Sequence, residues 1–190
     1  MKTLLLIVLA GCAVVSLAPA QNRVSVTFTP AGKDPKFEAA ADEYRDIWAK
    51  EGPRIIDAME RISALKFREK TIKAYTYEGP SVSGRGKAPM RLRSSYAPAT
   101  KQATIVHELG HRLMGDLVPA DIDHHSIIFL FVYDVWVDLW GQSFADEQVT
   151  VERARSGSIA NYDKLWTEAL AMTPAERAGR LKQFVQEHRK

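Results

Sequence analysis

His107-Glu108-Leu109-Gly110-His111 sets two imidazoles four residues apart, with a carboxylate beside the first. In a helix, residues i and i+4 project from one face, one turn above each other. Two imidazole nitrogens so placed can hold a zinc ion, and Glu108 can then reach a water on that metal. The flanking Ile105, Val106, Leu109, Leu113 and Met114 predict a helix with an apolar side, as a buried active-site helix needs. Four of the five histidines, His107, His111, His124 and His125, fall within nineteen residues.

A catalytic zinc needs a third protein ligand and one open position. The H-E-x-x-H run resembles that of the zincin metallopeptidases, and the likeness covers about residues 90–140. The metzincin branch would need Gly and His at three and six residues past His111, where Met114 and Leu117 stand, and is excluded. In SprT-like minimal zincins the third ligand is a histidine near the start of the next helix. His124 and His125 lie thirteen and fourteen residues past His111, in such a place. In thermolysin-like gluzincins it is a glutamate about twenty residues on, with an aspartate four residues later supporting a ligand histidine. Asp134-x-x-x-Asp138 looks like that pair with aspartate for glutamate. His125 is taken first as the third ligand, Asp134 as the alternative and His124 after it. If a histidine ligates, Asp134 is the expected acceptor for an imidazole N–H.

The resemblance implies a zinc-dependent metallopeptidase acting on a peptide or protein substrate. Zinc would lower the pKa of a water and polarise the scissile carbonyl. Glu108 would serve as general base and then hand the proton to the leaving amine. Tyr96, Tyr133 and Arg112 are the candidates for stabilising the oxyanion. In such enzymes the strand before the metal helix commonly pairs with an extended substrate. Met90 to Ser95, which alternates apolar with basic or polar residues, is the expected edge strand. Arg91 and Arg93 would then meet acidic substrate groups, or stand as ordinary surface arginines. The rival class is an exported domain that binds zinc or a protein partner without turnover, and a hydrolase of other amides, such as cell-wall peptides, would use the same chemistry.

The rest of the chain must position these residues. Its 190 residues, 46% hydrophobic and 26% charged, fit one globular domain over 21–190. Met1-Lys2-Thr3, an apolar run from Leu4 and Ala18-Pro19-Ala20 predict an export signal over 1–20, hence a periplasmic or secreted protein. Leu9-Ala10-Gly11-Cys12 offers the alternative of a lipobox, with membrane attachment only if Cys12 is lipidated. Cys12 is the sole cysteine, so the mature chain has no disulfide, no thiolate metal ligand and no cysteine nucleophile. A net charge of +3 does not suggest a nucleic-acid partner.

Alternation predicts strands at 24–29 and 71–77, and helical spacing predicts a helix from Lys36 to about Lys50. Gly52-Pro53 is expected to break it, with Pro53 opening a second helix. Thr100 is the expected N-cap of the metal helix, and Asp121 and Asp123 the caps of the next. Ile127 to Trp140 is apolar on every side and predicts a helix buried all round, in which Asp134 and Asp138 require partners, a nearby zinc being the economical one. A more charged helix to about Arg155, another marked by Tyr162, Leu165 and Trp166, and a last one opened by Thr173-Pro174-Ala175-Glu176 complete the chain. The fold class expected is α+β, mostly helical, with a small sheet ahead of the metal helix.

Overall fold

A computed structural model describes residues 24–84, 86–155 and 161–189. The expected export signal and Cys12 lie outside them. Three strands, β1 (Ser25–Pro30), β2 (Thr71–Tyr77) and β3 (Met90–Arg93), form one parallel sheet in the order β1-β2-β3. Ser25 pairs with Thr71 and Ala74 with Met90 in the register. One face buries Val26, Phe28, Ile72, Ala74, Met90 and Leu92, and the other carries exposed Thr27, Lys73 and Tyr75. The period-two pattern of these strands is thus the pattern of a sheet covered on one side.

Helix α1 (Pro35–Ser63) connects β1 to β2, and α2 (Pro98–Met114) follows β3. After a turn of 3-10 helix at Gly115–Leu117 come α3 (His125–Trp140), α4 (Gln142–Arg153), α5 (Tyr162–Leu170) and α6 (Pro174–His188). The protein is α+β and mostly helical, with the sheet ahead of α2, as its patterning predicts. Helix α3 is the central post: Ile128, Phe129, Phe131, Val132, Val135 and Trp136 are fully buried, and every other helix packs on it. The expected burial all round is incomplete: Tyr133, Asp134, Val137 and Trp140 are half-buried and Asp138 is exposed, so the two acids lie along the one side that nears solvent. Sheet and helices share one continuous apolar core. No described helix is long and apolar enough to cross a membrane.

Gly110 sets the approach of α2 to α3. A Cβ there would lie 3.3 Å from Val132 Cγ2 and 3.5 Å from Phe131, so a glycine between the two histidine turns lets the helices close. Asp34 caps α1 by accepting from the Lys36 N–H, and the Thr173/Glu176 capping box opens α6.

Two local expectations are corrected. Pro53 lies inside α1 instead of opening a new helix. Its ring forgoes one backbone bond, but Ala41 and Tyr44 before it and Ile55 and Met59 after it are buried in the same core, and that shared face keeps the helix continuous. Thr100 is not the cap of α2. Pro98, with its fixed φ, already starts the helix, Ala97 stands at the cap, and Thr100 is a buried residue of the first turn.

Tyr44 ties α1 to the strand leading into α2: its O–H donates to the Arg93 carbonyl at 3.1 Å. Burial first, then the neighbouring Tyr96, Glu108 and Glu43, hold its phenol well above the ordinary value of 10.0. The folded state therefore keeps the proton after the unfolded chain has lost it. Stability is intact below pH about 10 and falls as pH rises above that. In thermal unfolding followed from pH 8 to 12, Tyr44→Phe is expected to start from a lower midpoint and to show a shallower alkaline decline. An unchanged slope would remove Tyr44 from the explanation.

Candidate metal centre

Helix α2 presents His107 and His111 one turn apart, with ring centroids 5.2 Å from each other. The chain then turns at Gly115–Leu117 and re-enters at α3, whose first residue is His125. His125 lies with its ring 5.3 Å from His107 and 4.8 Å from His111. One nitrogen from each of the three falls within 4.8 Å of the others. Three imidazoles converging in this way form a donor set suited to zinc.

Two carboxylates fix the rings. His107 Nδ1–H donates to Glu152 Oε1 at 2.7 Å, and His125 Nδ1–H donates to Asp123 Oδ1 at 2.8 Å. Each pairing leaves the lone pair on Nε2, the nitrogen that could take a metal. Asp123 also accepts from the His125 backbone N–H at 3.0 Å, so one side chain holds the first N–H of α3 and orients the ring, while His124 and not Asp121 or Asp123 stands at the N-cap. Tyr162, at the start of α5, donates its O–H to His125 Nε2 at 2.8 Å, and its ring stacks near that of His107. Phe129 packs against His107, His125 and Tyr162, and Trp166 stacks behind it with rings 3.8 Å apart.

Glu152 is 2% exposed, yet three groups answer its charge: His107, Trp166 Nε1–H at 3.0 Å and Arg155 at 3.5 Å. Burial works to raise its pKa, but His107, Arg155 and Trp166 overcome that and hold the carboxyl below its usual range. Glu108, also buried, has no such set of donors, and desolvation pushes its carboxyl upward against the nearby positive charge. Burial and the neighbouring His107 lower His125 to about 4, with Asp123 opposing. His125 is therefore a neutral imidazole at neutral pH, the form that ligates.

His124, the remaining candidate, has its ring 5.5 Å from His111 but does not share the cluster of converging nitrogens. The Asp134 expectation is corrected. Asp134 is nine residues beyond His125, about 13 Å along the helix axis, and is taken by Arg177 of α6, whose Nε and Nη2 donate to its two oxygens at 2.9 and 2.5 Å. Asp138 pairs with Arg61 of α1 at 2.7 Å. Neither aspartate supports an imidazole; Glu152 and Asp123 do.

Two of the oxyanion candidates are also engaged elsewhere. Arg112 clamps the backbone carbonyls of Gly86 and Ala88 and meets Glu69, and Tyr133 donates to Asp146 at 2.7 Å. Tyr96 stays nearer the site, beneath Arg93 and Arg155. β3 is the sheet edge, as expected, but its outer backbone is not open. Val82 exchanges two 2.8 Å hydrogen bonds with Arg91, and Arg93 N–H donates to Ser81 Oγ. Arg93 is paired with Glu78 at 2.6 Å, and Arg91 lies over Tyr77. The loop back from β2 thus covers the edge on which a substrate strand was expected.

Compared with protein-family models, with curated proteins and with solved structures, the chain matches none.

Proposed function

We propose that the chain is a zinc-dependent peptidase in which His107, His111 and His125 hold the ion and Glu108 is the general base. The observation that carries this reading is the convergence of three imidazole nitrogens within 4.8 Å beside a buried glutamate. Zinc held there supplies Lewis acidity toward a water and toward a scissile carbonyl oxygen. Glu108 takes the water's proton and delivers it to the leaving amine. Glu152 and Asp123 keep the imidazoles in the ligating tautomer and orientation. Tyr162, whose hydroxyl donates to His125 Nε2, would be the nearest hydroxyl to offer the carbonyl oxygen a hydrogen bond if that nitrogen held the metal. Phe129, packed on His107 and His125 with Trp166 behind it, excludes water from that side of the cluster.

Metal content tests the ligand set. About one zinc per chain is expected in the wild-type protein and in Asp134→Ala, if the loss of its Arg177 partner leaves the chain folded, and very little in His125→Ala. Retention of full zinc by a folded His125→Ala variant would remove His125 from the site. A folded wild-type protein that binds no added zinc would end the peptidase reading.

A further inference from the structure

Arg155 follows the C-terminal end of α4, three residues past Glu152. Its side chain is only 19% exposed, and its Nε–H is buried with no hydrogen-bond partner. Among the described residues its ion-pair partner is Glu152, at 3.5 Å from Nη1. That separation is at the limit for a hydrogen bond, and Glu152 is already committed at 2.7 and 3.0 Å to His107 and Trp166. The guanidinium lies 5.5 Å over the Tyr96 ring, whose other neighbour is the Arg93 guanidinium at 5.6 Å. The two arginines around that ring differ: Glu78 accepts from Arg93 Nε at 2.6 Å, whereas Arg155 Nε has no hydrogen-bond partner among the described residues. Glu108 and Tyr162 both lie within range of the Arg155 charge.

A buried guanidinium whose Nε–H is unpaired is costly even beside Glu152, and an arriving carboxylate would satisfy that donor. The planar fork of arginine matches a carboxylate in two parallel hydrogen bonds, and stacking over Tyr96 fixes the plane of that fork. We propose that Arg155 anchors a carboxylate of the substrate beside the His107, His111 and His125 cluster. The carboxylate has two sources, the free C-terminus of a peptide or an acidic side chain near the scissile bond. The inference rests on the peptidase reading of that cluster and names the class of peptide it prefers. Arg155 is a binding residue here and not the proton-transfer group.

The test is calorimetric binding of three probes to the zinc-supplied chain: N-acetyl-Ala-Ala-Phe-Ala as the free acid, the same peptide as its C-terminal amide, and the amide with glutamate as its last residue. The acid is expected to bind about 10–100-fold tighter than the neutral amide. The glutamyl amide recovers that affinity if a side-chain carboxylate serves, and stays weak if only a C-terminus does; either result supports a carboxylate site. Arg155→Gln is expected to erase the difference between acid and amide, and Arg155→Lys, which keeps a cation opposite Glu152, to retain only part of it. A merely structural Arg155 would not distinguish acid from amide. Equal binding of acid and amide by the wild type, or undiminished acid preference in folded Arg155→Gln, overturns the proposal. Hydrolysis of the same peptides is read separately. Acid preference without hydrolysis counts against the peptidase reading, and hydrolysis without acid preference counts against the anchor alone.

Discussion

Glu108→Gln is expected to keep its zinc and its fold while peptide hydrolysis falls by about 10²–10⁴-fold, the range for removing a positioned general base. The amide fills the same volume, so α2 and the two histidines flanking it are undisturbed. No described side chain depends on Glu108 for a hydrogen bond, unlike Glu152, and burial already disfavours its charged form. The uncharged amide should therefore leave thermal stability unchanged or slightly higher. What it lacks is a basic oxygen to accept a proton from water and pass it on. Metal content, unfolding midpoint and kcat are measured on one preparation. Normal zinc with collapsed kcat supports the role given to Glu108. Normal zinc with undiminished kcat would transfer the base to another group, and lost zinc would make Glu108 part of the binding site.

Much of this centre was legible because its parts are local. His107, Glu108 and His111 are read from one helical turn, and α3 declares its burial through an apolar run broken only by Asp134 and Asp138. His125 was reachable because a short loop ends on it at the start of a helix. Glu152 was not reached from sequence, although a trace existed: Ala145, Gln148, Val149 and Glu152 follow helical spacing and all are buried, so a glutamate sits on the core-facing side of α4. The pairing of Asp134 with Arg177 and of Asp138 with Arg61 joins residues 43 and 77 positions apart, which no local pattern records. Tyr162 read as an ordinary apolar marker of α5, since only the packing of α5 on α3 brings its hydroxyl to His125. The covered edge of β3 was hidden for another reason. Strand alternation reports which face is buried but does not say which backbone lies alongside.

Glu152→Gln is the change expected to separate ligand support from ligation. The carboxylate accepts from His107 Nδ1–H and Trp166 Nε1–H and stands opposite the Arg155 guanidinium. An amide has one accepting oxygen, and its NH2 would face one of these donors. One buried N–H then loses its partner, and Arg155 loses its nearest anion. Supporting carboxylates of this kind are worth about 10–100-fold in metal affinity, and an orphaned buried donor costs about 1–3 kcal/mol of stability. Zinc affinity by chelator competition should therefore fall by that factor, with a matching loss in urea unfolding of the metal-free chain. Asp123→Asn makes the useful contrast. Its carboxylate is 42% exposed, so water can replace what the substitution removes, and the loss of affinity should be the smaller of the two. Equal affinities in Glu152→Gln and wild type would mean that burial alone orients His107, and that the carboxylate behind it serves the core and not the metal.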